Sequence, residues 1–255
     1  MGVLNITPDS FSDGGQFLSV DKALRHAEQM IQEGADVLDI GAESSRPGAD
    51  KVSVEEEMAR LSPFLKQYSQ HFDTPLSLDA YKAEVAALGI DAGVWMINDI
   101  TGLTGDAAML NTVASSDVAL CLMHMQKNPE TMQDAPQYTD VVEDVYSFLK
   151  TQTKKAKDAG VKTVAVDPGI GFGKTLEHNL SLLRHLERFC ELGPVLIGTS
   201  RKSFIGAITG EDVSERLEGT LASNIWAYQK GASLFRVHDV VSLKKALQVF
   251  RAIEG

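Results

Sequence analysis

Val164-Ala165-Val166-Asp167-Pro168-Gly169-Ile170-Gly171-Phe172-Gly173-Lys174-Thr175 is the stretch from which the fold reads outward. A short β-branched apolar run ends on a carboxylate, breaks at proline, passes three glycines and enters a helical pattern at Leu176, which is the signature of strand, loop and helix. The glycines invite a nucleotide-binding reading, but the spacing refuses both standard patterns. Gly169 to Gly173 leaves three residues where a P-loop needs four, and Lys174 stands where the dinucleotide fingerprint needs its next glycine. What is left is a carboxylate at the C-terminal end of a strand, above backbone that can approach a ligand closely. An Asp-Pro turn that merely ends the strand is the plainer alternative.

The same grammar recurs along the chain. A glycine closes a helical stretch, a short apolar strand follows and a polar residue tips it, as in Gly34-Ala35-Asp36-Val37-Leu38-Asp39, Gly93-Val94-Trp95-Met96-Ile97-Asn98-Asp99, residues 160–167 and Gly231-Ala232-Ser233-Leu234-Phe235-Arg236. Those four glycines fall where a helix ends in the left-handed conformation that glycine adopts cheaply. Further strands are expected at residues 76–79, 118–122 and 195–198, and residues 2–6 complete eight. Helical patterns run over 20–33, 54–71, 82–91, 106–114, 141–159, 176–191, 215–230 and 241–253, and Ser53 followed by Glu56 predicts a capping box at the second. Eight strands alternating with eight helices predict an α/β chain folded as a single (β/α)8 TIM barrel domain over residues 1–255, with catalytic groups at the C-terminal ends of the strands. The longest loops, 7–19, 41–53 and 123–139, then share the catalytic face.

Composition narrows the function classes. At 255 residues, with 44% hydrophobic and 23% charged residues, the chain suits one soluble barrel, and no apolar run reaches membrane-spanning length. The opening Met1-Gly2-Val3-Leu4-Asn5 lacks the basic-then-apolar layout of a signal peptide, so cytoplasm is the expected compartment. Cys121 and Cys190 form no metal-ligand pattern and read as reduced core residues. The net charge of -11 argues against nucleic acid as a partner, and an anionic substrate then needs a local cluster of cations.

The strand tips supply such a cluster. They carry Asn5, Asp39, Asp79, Asn98, His124, Asp167, Ser200 to Lys202, and Arg236 with His238. An unpaired buried polar group costs roughly 1–3 kcal/mol, so this many together imply a polar ligand or a dense internal network. Two carboxylates and an asparagine suit a flat heterocycle rich in N–H groups, whereas Arg46, Arg201, Lys202, Arg236 and His238 suit phosphate oxygens. Asp39 has the plainer alternative of a hydrogen bond inside the barrel, and Ser200-Arg201-Lys202 that of a helix start.

Read together, residues 5–15 (Asn-Ile-Thr-Pro-Asp-Ser-Phe-Ser-Asp-Gly-Gly), 41–48 (Gly-Ala-Glu-Ser-Ser-Arg-Pro-Gly), 97–100, 167–174, 200–203 and 236–239 resemble dihydropteroate synthases of the folate pathway. The resemblance runs from Gly2 to about Asp239. It implies a transferase that condenses 6-hydroxymethyl-7,8-dihydropterin pyrophosphate with p-aminobenzoate, with Mg²⁺ assistance, and it implies a homodimer and sulfonamide inhibitors. By position, Asp79, Asn98, Asp167 and Lys202 would bond the pterin, with Ile100, Met123 and Phe172 as apolar walls and Arg236 stacked on the ring. Asn5, Arg46, Arg236 and His238 would take the pyrophosphate, with Asn5 also a Mg²⁺ ligand. Phe11, Pro47, Phe172, Lys202 and Ser203 would line the p-aminobenzoate pocket, closed over by the loops holding Asp13, Ser45 and Arg46. The catalytic set on this reading is Asp79, Asp167, Lys202, Arg236 and His238.

Pyrophosphate is a good leaving group and the dihydropterin can spread positive charge, so the reading expects stabilised ion separation and no side-chain nucleophile. The loops at 9–15 and 44–48 are expected to close over pyrophosphate before the amine binds. Ser45 and Ala80 depart from the residues common in the family, and the chain lacks the Phe-Gly insertion after Gly173 of sulfonamide-insensitive relatives, so the resemblance implies sensitivity to those inhibitors. A methyl-transferring pterin barrel and a non-catalytic pterin-binding relative are the rival readings. Neither accounts for Ser200-Arg201-Lys202 and Arg236-Val237-His238 together with Asn5 and Arg46.

Overall fold

The computed structural model describes residues 1–6, 16–44, 51–127 and 131–255, with the side chains of 16–19 excepted. Six parallel strands pair in sequence order: β1 (Gly2–Asn5), β2 (Leu38–Gly41), β3 (Leu76–Asp79), β4 (Met96–Asp99), β5 (Ala119–Met123) and β6 (Val164–Asp167). A second parallel pair, β7 (Leu196–Ile197) and β8 (Leu234–Phe235), fills the remaining arc. Isolated bridges join the two pieces into a ring. Val166 pairs with Val195 between β6 and β7, and Gly2 pairs with Val237 between β8 and β1. Val3 N–H donates to the Val237 carbonyl at 3.0 Å and Val166 N–H to the Pro194 carbonyl at 2.9 Å, so neither sheet keeps a bare edge. The result is the expected TIM barrel.

Strand alternation sorts the side chains. Leu38, Ile40, Leu76, Leu78, Ile97, Leu120, Leu122, Val164 and Val166 join the large core between strands and helices. Met96, Ala119, Cys121, Ala165 and Leu196 form a separate cluster inside the ring, with Met1 and Leu234 packed against it. That inner plug places Cys121 as a buried, unbridged thiol, and Cys190 is unbridged as well.

Around the ring stand α1 (Gln16–Gln32), α2 (Val54–His71), α3 (Ala83–Asp91), α4 (Met109–Ala114), α5 (Val141–Asp158), α6 (Leu176–Arg184), α7 (Glu187–Cys190), α8 (Ser203–Thr209), α9 (Leu217–Gln229) and α10 (Val240–Glu254). Gly34, Gly93, Gly160 and Gly231 do take positive φ, between 83° and 104°, at the helix exits. Two expectations need correcting. The single helix read over 176–191 divides at His185 into α6 and α7, and α8 is an extra short helix in the loop after β7. The predicted capping box at Ser53 is only half formed: Ser53 Oγ accepts from Glu56 N–H at 3.2 Å, but the Glu56 carboxylate turns to Arg60. The reciprocal box lies instead at Thr175 and His178, which start α6. Among the described residues no helix is long and apolar enough to cross a membrane.

Candidate active site

Because alternate residues of each strand face the ring interior, the polar groups stack in two levels above the apolar plug. The lower level holds Asp39, fully buried, which accepts from Ser77 Oγ at 2.6 Å. Asp39 therefore sits below the strand tip; Gly41 is the last residue of β2. Register aligns Asp79 with Asn98 and Met123 with Asp167 in the upper level. Arg236, just past β8, joins the levels: its Nε donates to Asp39 at 2.5 Å and its Nη2 to Asp79 at 3.0 Å. A guanidinium carries its donors in a planar fork, which lets one side chain serve two carboxylates from different strands.

Electrostatics at this level follow from burial. Loss of hydration pushes the Asp79 carboxyl up to about 7, against the opposing pull of Arg236, and the negative charges of Asp39, Glu57 and Asp99 push the same way as burial. Burial also raises Asp167, opposed chiefly by Lys202 and by the Gly169 N–H that its carboxylate accepts at 2.7 Å. Asn98 is 4% exposed, and its side-chain amide makes no hydrogen bond to another described residue. Asp99 is committed elsewhere. It accepts from Thr101 N–H, Thr101 Oγ1 and Leu103 N–H at 2.7–2.8 Å, pinning the turn that carries Ile100.

The loop after β6 lies hard against the tip of β5. Gly169 has φ of +70°, and a Cβ there would come within 1.9 Å of the His124 carbonyl, so only glycine fits. Lys202, the N-cap residue of α8, reaches back over this loop: its ammonium donates to the Ile170 carbonyl and lies 4.6 Å from the centre of the Phe172 ring. Burial lowers Lys202 to about 8, with Asp167 opposing the shift. Phe172 is half-buried, while Ile100 and Met123 are buried.

Past Arg236 the chain brings His238 to Ser200. His238 is exposed, and Ser200 Oγ accepts its backbone N–H at 3.2 Å while lying 3.0 Å from its Nδ1. With the hydroxyl hydrogen on Nδ1, the ring proton sits on Nε2 and makes that edge a donor. Asn5 ends β1 as an exposed amide. Arg201 must be removed from the cationic cluster read in the sequence. Its guanidinium makes a two-point bond to Asp239, at 3.0 and 2.5 Å, and its backbone holds φ of +56° with N–H donated to Thr220 Oγ1. That contact stabilises the turn and leaves Lys202 and Arg236 as the partly buried cations of this face.

Residues 1–238 match the family model described as pterin binding enzyme. The dihydropteroate synthase of Clostridium beijerinckii is 48% identical over 98% of this chain and 91% of its own length. The chain belongs to the dihydropteroate synthases of the pterin-binding enzyme family. A Yersinia pestis dihydropteroate synthase, solved with a sulfonamide drug complex, superimposes with a TM-score of 0.93 at 41% identity, over 100% of this chain and 93% of its own. The Xanthomonas albilineans dihydropteroate synthase in complex with 7,8-dihydropteroate gives 0.90 at 43% identity, over 100% and 93%.

For this dihydropteroate synthase family member, the structure gathers Asp79, Asn98, Asp167, Lys202, Arg236, Phe172, Ile100 and Met123 around one barrel mouth, with Asn5, His238 and exposed Ser203 at its rim. Phe11, Asp13, Ser45, Arg46 and Pro47 lie outside the described residues. For Asp39 the structure bears out the hydrogen bond inside the barrel, while two further groups have no role in the sequence alone. Asp39 anchors Arg236, Ser200 holds His238, and Lys174 is buried under the β6 loop against His124. Asp39 and Ser200 were visible as strand-tip residues, but only their partners give them a purpose. Lys174 carried no such signal, since a lysine after a glycine-rich turn ordinarily points to solvent.

Proposed function

We propose that the chain condenses 6-hydroxymethyl-7,8-dihydropterin pyrophosphate with p-aminobenzoate, forming 7,8-dihydropteroate and pyrophosphate. The observation that carries this reading is the division of the mouth: two desolvated carboxylates and a buried amide that makes no side-chain hydrogen bond among the described residues on one side, Arg236 between, and His238 with Asn5 beyond it. A pterin edge offers N–H donors to Asp79 and Asp167, and Asn98 can both give and accept. Lys202 supplies a donor to ring acceptors, and Ile100, Met123 and Phe172 cover the faces. Arg236, already fixed by two acids, presents a flat cation to the ring and the adjoining phosphate.

In the reaction the bond between the pterin methylene and its oxygen breaks, and both electrons leave with pyrophosphate. Arg236 and the His238 ring edge take up the charge that develops on the departing oxygens. Asp79 and Asp167 favour the pterin cation that remains. The neutral amine of p-aminobenzoate then attacks the methylene and loses its proton to water or to the departing anion, with no dedicated base. Among the described residues there is no cluster of three His, Cys, Asp or Glu able to hold a metal. Asn5 as a lone oxygen ligand fits Mg²⁺, which keeps most of its waters and is commonly held through substrate phosphates. Mg²⁺ so bound would neutralise charge on the pyrophosphate. A sulfonamide would take the place of the amine against Phe172, Lys202 and Ser203, with Phe11 and Pro47 completing the pocket and Asp13, Ser45 and Arg46 closing it.

Free thiols at Cys121 and Cys190 support a cytoplasmic site of action, and the exposed Trp226, Val249 and Ile253 of α9 and α10 support a homodimer through those helices. A methyl-transferring barrel has no use for a phosphate-directed His238.

The test is direct: the protein, dihydropterin pyrophosphate, p-aminobenzoate and Mg²⁺ should yield dihydropteroate by mass spectrometry. Pterin binding without product would favour a non-catalytic relative instead. His238→Ala separates the two halves. Losing one charge-assisted contact worth roughly 1.5–3 kcal/mol, it should weaken pyrophosphate binding by about tenfold or more while pterin affinity stays nearly constant. Unchanged pyrophosphate affinity in a calorimetric titration would remove His238 from the anion site.

A further inference from the structure

Lys174 ends the β6 loop and is only 4% exposed. An ammonium has three N–H donors, and here three acceptors meet it: the Phe172 carbonyl at 2.8 Å, His124 Nδ1 at 3.1 Å and the His124 carbonyl at 3.2 Å. None of these is a carboxylate, so among the described residues a cation is buried with no ion-pair partner in contact, an arrangement that costs stability. Burial accordingly lowers Lys174 to about 7 and His124 to about 3, with Asp167 opposing the shift at Lys174.

Every partner of this ammonium belongs to the joint between β5 and the β6 loop. His124 is itself immobilised, its ring meeting Phe148 edge-on at 5.0 Å and Tyr138 at 5.9 Å. Tyr138 Oη donates to the Gly173 carbonyl at 2.8 Å, and Asn179 Oδ1 accepts Gly171 N–H at 2.7 Å. Gly169 already presses the loop on the His124 carbonyl. The loop held in this way carries Phe172, whose ring faces Lys202.

We propose that Lys174 is a positioning residue for amine binding, a buried ammonium that clamps the Gly169–Gly173 loop to His124 and so fixes Phe172 in the p-aminobenzoate pocket. The proposal rests on the synthase reading and on the place of Phe172 in that pocket. Lys174 itself touches neither substrate.

Lys174→Met keeps an unbranched side chain one atom shorter and removes its three bonds. In this variant, KM for p-aminobenzoate should rise about tenfold, kcat should fall less than threefold and affinity for the pterin substrate should stay within threefold. Amide hydrogen exchange of residues 169–173 should quicken while β5 and β6 keep their protection, which also shows that the variant is folded. His124→Leu should raise KM as well, and the double variant should be no worse than Lys174→Met alone, because both break one clamp. A folded Lys174→Met protein with wild-type KM for the amine would overturn the proposal, as would fully additive effects in the double variant. If the wild-type protein makes no dihydropteroate, the synthase reading fails by itself; the clamp is then judged on loop exchange alone, and wild-type protection in Lys174→Met overturns it.

Discussion

Arg236→Met should cost turnover about a hundredfold to a thousandfold, the range for removing a preorganised charge from a reacting centre. It should also destabilise the fold by about 3–5 kcal/mol, because it strands the carboxylates of Asp39 and Asp79 away from water. These two losses have separate origins. Adding Asp39→Asn removes the more deeply buried of the stranded charges, so the double variant should recover most of the stability and none of the turnover. Chemical denaturation and the product assay measure both quantities on the same samples. Recovery of activity along with stability would mean that Arg236 serves only to neutralise Asp39 and has no part in the reaction.

The second large effect is expected at Asp79. A charge-assisted bond to the pterin edge is worth roughly 1.5–3 kcal/mol, so Asp79→Asn should weaken pterin binding by about tenfold to a hundredfold and leave pyrophosphate binding intact. The pH dependence should change with it. Burial holds the Asp79 carboxyl at about 7, so in the wild type pterin affinity should climb as the pH rises through 7 and the acceptor loses its proton. That rise should be missing in Asp79→Asn. Stability runs the other way: the folded value lies above the ordinary 3.8, so the fold takes up a proton between 3.8 and about 7 and loses stability as the pH rises through that window. Equal losses of pterin and pyrophosphate affinity would point to a general folding defect and remove Asp79 from the pterin site.

What could be read from the sequence was local. Asp167 at the end of a β-branched run, followed by proline and glycines, needs only its neighbours to be recognised as a strand tip, and the repeated glycine exits gave the barrel. The short strands β7 and β8 were legible for the same reason. Pairings across the ring were not. Arg236 and Asp39 are 197 residues apart, and nothing in either segment announces that one guanidinium will serve two levels of the barrel. Arg201 reads as a phosphate ligand because it stands between Ser200 and Lys202; its true partner, Asp239, is 38 residues away at the end of another motif. The break at His185 was hidden because the apolar pattern continues through it without proline or glycine. The burial of Lys174 is not legible locally, since it depends on His124 coming from a different strand.

The central claim is that this barrel mouth separates a pterin cation from pyrophosphate before the amine attacks. Dihydropterin pyrophosphate carrying ¹⁸O in the oxygen bridging methylene and phosphorus tests it, incubated with enzyme and Mg²⁺ but without p-aminobenzoate and followed by ³¹P NMR. Reversible departure predicts that the label moves into non-bridging positions of the recovered substrate, and that the movement is lost in Arg236→Met. Label that stays in the bridge, under conditions where added p-aminobenzoate gives many turnovers, would contradict departure ahead of attack.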